Sequence, residues 1–145
     1  MGWDFSTEPE FEEHLDWIRE FRKEMIEPLD LLHPELAFHP LEGGLRAYVK
    51  SLQQQVKDRG LWAAHLGPDL GGQGFGQLKL GLINEVLGGS NWAPIIFGTA
   101  APDTGNAEII AHYGTQAQKD RYLEPLLNGE CFSCFSMTEP HAGAD

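Results

Sequence analysis

Four stretches of this sequence carry residue types that could do chemistry: the Cys131-Phe132-Ser133-Cys134 pair, Thr138-Glu139-Pro140-His141, the glycine-dense run at 67–76, and the histidines His33 and His39. Cys-x-x-Cys serves redox chemistry at a helix N-terminus, but here it lies in a β-type run. A structural zinc site needs a second ligand pair of similar spacing, and none of the histidines supplies one. Cys131 and Cys134 are therefore expected to be buried structural thiols, in a reducing compartment. His33 and His39 are expected to be surface residues. The glycine run lacks Gly-Lys-[Ser/Thr], has no Gly-x-Gly-x-x-Gly in register and no βαβ unit around it. It predicts a tight, close-packed loop and not a phosphate cradle. Ser136 and Thr138 lie near His141 in sequence, but no nucleophile elbow accompanies them. Glu139 reads as a turn residue at a strand end. No catalytic residue and no metal ligand is assigned.

What remains is a ligand site built from backbone and hydroxyl groups. From Cys131 to Thr138 the residues alternate with period two and are rich in aromatics, which predicts a strand. A strand end exposes N–H and C=O groups, Thr138 adds a hydroxyl, and Ala142-Gly143-Ala144-Asp145 forms a turn where a ligand can approach the backbone. Phe135 and Met137 would wall such a site. This set suits a flavin or another large planar cofactor.

The elements that position the site are mostly helical. Thr7 and Glu10 have capping-box spacing, with Pro9 in the first turn. Phe11, Leu15, Ile18, Arg22, Met25 and Leu29 recur at helical spacing, with Phe21 and Ile26 alongside and His14 and Trp17 flanking the stripe. Pro28 is expected to end this helix near Glu27, and a connector follows to Pro40. Leu45, Tyr48, Val49, Leu52 and Val56 predict a second helix stopped by Gly60. Leu78, Leu82, Ile83, Val86 and Leu87 predict a third, closed by Gly88-Gly89-Ser90. Asn91 is expected to cap a short apolar helix over 94–101. Pro102-Asp103-Thr104-Gly105-Asn106 reads as a turn before a helix over 107–113. Thr115-x-x-Gln118 outlines a capping box for a last helix, disturbed by Pro125, with Tyr122 and Leu126 inward. The class is all-α (mainly α): an up-down helical bundle of about six helices. One terminal β-strand begins a β domain expected to be absent from the chain. The expected domains are 1–130, helical, and 131–145, the first strand and turn of that β domain. A lone strand needs pairing partners that this sequence does not obviously contain.

Composition bounds the function. The 145 residues are 41% hydrophobic and 22% charged, a globular profile. The formal net charge is −12, and the first thirty residues hold ten acidic against three basic side chains. With no basic face, nucleic acid and anionic membranes are poor partners. No apolar run approaches the roughly 18 residues of a membrane span. Met1-Gly2-Trp3 begins no secretory signal, so the chain is expected not to be secreted.

At this point the residues resemble a known family. Cys134 to Asp145, with Thr138-Glu139-Pro140 and Ala142-Gly143-Ala144-Asp145, is similar to the first signature of the acyl-CoA dehydrogenases. Tyr113-Gly114-Thr115 through Gly129-Glu130 resembles the segment before it, and Gly60-Leu61-Trp62 with Gly71-Gly72-Gln73-Gly74 resembles the family's first glycine loop. The run Ala101 to Asn106 looks like the branch acting on longer or modified acyl chains.

The resemblance implies an FAD enzyme that dehydrogenates an acyl-CoA between its α and β carbons. An active-site carboxylate takes the α-proton, and the β-hydrogen leaves as hydride. By residue match it implies flavin contacts at Phe135, Met137, Thr138, Gly143 and Ala144. It implies acyl-CoA contacts at Phe97, Ala101 and Ala144. Ala144 replaces the family's usual Ser. Neither the remaining domains nor the catalytic base is assigned here, so this stretch is expected to be inactive alone. Electron-transfer flavoprotein is the implied electron acceptor. The implied assembly is a homo-oligomer (dimer or tetramer), or a partner chain supplies the other domains. The implied compartment is the cytoplasm, or a mitochondrial or peroxisomal matrix. The alternatives are a non-catalytic helical interaction module and part of a related flavin oxidase.

Overall fold

A computed structural model describes residues 6–70 and 72–141. They form six helices, and no strand is present among the described residues. Helix α1 runs over 9–32, α2 is Gly43–Asp58, α3 is Gly76–Leu87, α4 is Ala93–Ile96, α5 is Asp103–Tyr113, and α6 runs over 116–127. The mainly α class therefore holds. The chain divides into two compact units, one reaching Thr99 and the other beginning at Ala100.

In the first unit α1 sets the frame. Its expected capping box does not form: Glu8 is the N-cap with no side-chain bond, and the Thr7 hydroxyl donates instead to Glu12 at 2.5 Å. Pro9 in the first turn removes an N–H that would have had no helical partner. Glu8 is tied to Lys79 of α3, and that hydrogen bond, followed by one from its own backbone, lowers its carboxyl pKa.

Pro28 does not end α1. The helix opens into a π turn at Arg22–Ile26, where the Glu27 N–H reaches back five residues to the Arg22 carbonyl, and then continues as Glu27–Leu32. A proline ring in a regular helix collides with the carbonyl four residues earlier. The wider π turn gives that carbonyl room. The same solution recurs in the second unit. A π turn at Lys119–Leu123 precedes Glu124–Leu127, which contains Pro125. The extra residue in each turn shifts the inward face. Ile26 and Leu29 are buried along α1. In α6, Leu123 and Leu126 are buried while Tyr122, expected inward, is exposed.

Helix α2 buries Val49, Leu52, Gln53 and Val56. Its end has Schellman geometry: Gly60 takes a positive φ of 74°, its N–H reaches the Lys57 carbonyl, and the Leu61 N–H reaches Val56. Buried Gln53 is satisfied by donating to the Ile95 carbonyl at 3.2 Å, which links α2 to α4. Helix α4 is shorter than its apolar run predicts, because Gly98, at φ 67°, ends it. Its cap is Ser90 and not Asn91: the Ser90 hydroxyl accepts from the Trp92 and Ala93 N–H groups at 3.1 and 3.0 Å. The loop before α3 is close-packed, as its glycines predict. A Cβ on Gly72 would fall 1.9 Å from the Leu66 carbonyl oxygen, so only glycine fits.

In the second unit α5 begins at Asp103, earlier than the predicted turn allows. The Thr115/Gln118 capping box forms as expected. Residues 131–138 carry no helix, turn or bend and no ladder. A strand exists only by pairing, and the described residues give this one no partner.

Leu52 is fully buried and Glu20 is exposed. Leu52→Asp places an unpaired charge in this core and should cost about 3 kcal/mol or more. Glu20→Ala should stay within about 0.5 kcal/mol. Thermal unfolding followed by circular dichroism compares them, and equal midpoints would disprove the assigned faces.

Candidate flavin-edge and acyl-wall residues

The candidate residues fall in two places, one in each unit. In the first unit the end of α4 is packed by aromatic rings. Trp17 stacks on Phe21 with centroids 4.6 Å apart, and Phe97 meets both edge-on at 6.4 and 6.1 Å. Edge-to-face pairs of this kind stabilise beyond the area they bury. Phe97 is fully enclosed, so its ring shapes this wall from behind.

Gly98 has no side chain because Trp62 lies against it: a Cβ there would come within 2.8 Å of the indole. Lys57 Nζ sits 4.5 Å from the centroid of the Trp62 ring. The neighbouring Ala63 N–H donates to the Phe97 carbonyl at 3.2 Å, and Ala63 accepts a left-handed φ of 51° to do so. That conformation costs an L-residue roughly 1–2 kcal/mol, so the surrounding packing must hold it. The loop and the end of α4 are thus locked together around bare backbone.

In the second unit Ala101 is exposed, just before α5. The 131–141 segment is held to α5 at Ser133. The Ser133 N–H and its hydroxyl both donate to Asp103 Oδ1 at 2.6 Å, and Asn106 Nδ2 donates to the Ser133 hydroxyl at 2.8 Å. Sequence reasoning read Asp103 and Asn106 only as turn residues. The available signal was a carboxylate and an amide three apart at a helix start, both facing a following polar residue.

Beyond this anchor Phe135 is 63% exposed and Met137 74%. Thr138 is exposed too, and its hydroxyl makes no hydrogen bond among the described residues. Gly143 and Ala144 lie outside the described residues.

Cys131 and Cys134 are exposed free thiols, not buried ones. Their burial was expected because the redox and zinc readings fitted poorly, and that elimination carries no information on what covers the segment. Partial desolvation, then the charges of Asp103 and Glu130, push the Cys131 thiol above its ordinary value.

The donor set suits a planar cofactor with a polar edge. Unladdered backbone amides and carbonyls and the unbonded Thr138 hydroxyl can meet heteroatoms, while Phe135 and Met137 offer apolar and sulfur surface to a ring. FAD presents that chemistry, so these residues fit it.

The family model described as acyl-CoA dehydrogenase, N-terminal domain, matches residues 8–130, and the chain belongs to that family. Over 133 residues it is 36% identical to acyl-CoA dehydrogenase family member 10 of Mus musculus, covering 86% of this chain and 12% of that protein. Over 140 residues it is 34% identical to acyl-CoA dehydrogenase family member 11 of Rattus norvegicus, covering 92% of this chain and 17% of that one. A Mycobacterium abscessus protein solved as a candidate acyl-CoA dehydrogenase superposes with a TM-score of 0.78 at 32% identity, over 95% of this chain and 36% of its own. The chain therefore spans well under half the length of each of these relatives.

Gly98→Ala tests the wall. The added methyl must displace Trp62 and adopt an unfavourable φ, so the midpoint of thermal unfolding should fall by an amount matching about 2 kcal/mol or more. Gly44→Ala, where a Cβ meets nothing within 4 Å in a helical first turn, should be neutral or stabilising by up to about 1 kcal/mol. A Gly98→Ala midpoint equal to that of the unaltered chain would refute the packing role of Gly98.

Proposed function

We propose that this chain is the N-terminal part of an FAD-dependent acyl-CoA dehydrogenase and supplies one wall of its acyl site and one edge of its flavin site. The observation that supports this most is the exposed segment after Ser133, whose Thr138 hydroxyl is unbonded among the described residues and is close in sequence to exposed Phe135 and Met137, in a chain of this family. FAD, when bound, supplies an acceptor for the hydride that leaves the substrate's β carbon.

The chain's own residues bind and orient. The Thr138 hydroxyl and the neighbouring backbone amides donate to the polar edge of the ring. Phe135 and Met137 exclude water from its flank. The family resemblance adds Gly143 and Ala144 to the flavin contacts and Ala144 to the acyl-CoA contacts, and both lie outside the described residues. Ala101 lines the acyl chain's path, and Phe97 fixes the shape of the wall that Gly98 and Trp62 complete. An uncharged apolar wall favours an alkyl chain through burial of roughly 0.8 kcal/mol per methylene.

No side chain here takes the α-proton, so the isolated chain binds without turning over. In the complete enzyme electron-transfer flavoprotein receives the electrons and the subunits form a homo-oligomer, or a partner chain brings the remaining domains. The cytoplasm or an organelle matrix would house it. No helix among the described residues is long and apolar enough to cross a membrane.

FAD titrated into the purified chain should give a weak but saturable change in flavin absorbance. Thr138→Val should weaken that affinity by about two- to tenfold, the value of one hydrogen bond, with helical circular dichroism unchanged. No saturable change with the unaltered chain, or equal affinities, would overturn the flavin-edge reading and favour a helical interaction module.

A further inference from the structure

We propose that Cys131 and Cys134 form a reversible thiol–disulfide site for low-molecular-weight disulfides, closing into a ring that draws Ser133 away from helix α5. Both are free thiols and both are exposed. The chain between them carries no turn or bend, so three unbent steps separate their Cα atoms by roughly 9–10 Å. A disulfide tolerates at most about 7 Å. The reduced segment therefore cannot be bridged as it stands, and closure must fold 131–134 into a turn.

Ser133 sits inside that turn. It is the residue pinned to α5 by two bonds to Asp103 and one from Asn106. Closure and the pinned arrangement compete, which makes the pair a two-state element. An exposed disulfide whose formation breaks hydrogen bonds is of the labile kind, returned easily to dithiol by free thiols.

The chemistry balances with glutathione disulfide as the oxidant. The Cys134 thiolate attacks one of its sulfurs, the sulfur–sulfur bond breaks, and one glutathione leaves as thiolate. Cys131 loses its proton and attacks the Cys134 sulfur, releasing the second glutathione. Two cysteine thiols are oxidised and one glutathione disulfide is reduced to two glutathiones. Cys131 is the slower first attacker, because partial desolvation and the charges of Asp103 and Glu130 hold its proton. The site does not depend on the segment's holding a flavin.

The full chain is incubated with glutathione disulfide and read by mass spectrometry and by amide nuclear magnetic resonance. The unaltered chain should lose two hydrogens and keep no glutathione, whereas Cys131→Ser and Cys134→Ser should each keep one. The Ser133 amide resonance, set by its short bond to Asp103, should move on oxidation and return with dithiothreitol. Ser133→Ala removes two of the three pinning bonds without changing charge, and should close at least twofold faster. A chain that stays unmodified or carries glutathione on both cysteines, a disulfide form with the Ser133 resonance in place, or a Ser133→Ala variant that closes no faster would each overturn the proposal.

Discussion

The first unit depends on how α1 gets past Pro28. A regular helix would drive the proline ring into the Glu24 carbonyl, and the π turn at Arg22–Ile26 removes that clash by adding one residue to the turn. The Met25 carbonyl, inside this turn, accepts from the Tyr48 hydroxyl at 3.2 Å, so α2 braces the widened backbone. Because the helix continues, Asp30 and His33 come into position to hold the loop after α3. Asp30 Oδ1 accepts the Asn91 N–H at 2.9 Å, and the His33 carbonyl accepts from the Trp92 indole at 3.0 Å. Arg22 adds a third bond to the same loop, at the Gly89 carbonyl. That loop sets the start of α4, where Ser90 caps the helix, and α4 carries Phe97 to its place against Trp17 and Phe21. A break at Pro28 would remove the last turn of α1, and with it two of the three bonds that seat Trp92 and its loop.

This dependence explains what could be read from the sequence. Periodicity alone places Phe11, Leu15, Ile18, Val49, Leu52, Ile83 and Leu87 on the apolar faces, and all are buried, whereas Tyr48 and Leu78 of the same stripes are exposed. Gly60 as a helix stop and the Thr115/Gln118 box were equally legible, since each is a local rule satisfied by its own neighbours. Three of the failures share one cause. Pro28, Tyr122 and the Ser90 cap each turn on a shift of one residue, by a π turn or by a competing hydroxyl. Local propensity rules carry no information on such shifts, and tertiary bonds such as Tyr48 to Met25 help to settle them.

The candidate site was legible in a different way. Its residue types implied a backbone-and-hydroxyl edge, and Phe135, Met137 and Thr138 are exposed on the segment that carries it. The anchor at Ser133 was not legible, because it joins residues thirty apart in the chain. The cysteines show the limit most plainly. A period-two pattern says which side chains share a face, but only a pairing neighbour decides whether that face is covered. Without one, both thiols stand open.

The same packing reasoning applies around Gly98. Under the proposed function this surface would meet an alkyl chain, so it has to be smooth and must not collapse into the space it borders. Here smoothness comes from bare backbone at Gly98 against the Trp62 ring, and resistance to collapse from Ala63, held at positive φ by its bond to Phe97. Side chains filling the same surface would bring rotamer freedom, and the wall would shift as they moved. A tryptophan plane laid on a glycine has no flexible stem of its own, Lys57 lies over that ring, and the edge-on rings of Trp17 and Phe21 hold Phe97 on the inner side. The rigidity of this wall thus arises from the same packing that makes Gly98 and the close-packed Gly72 irreplaceable by larger residues.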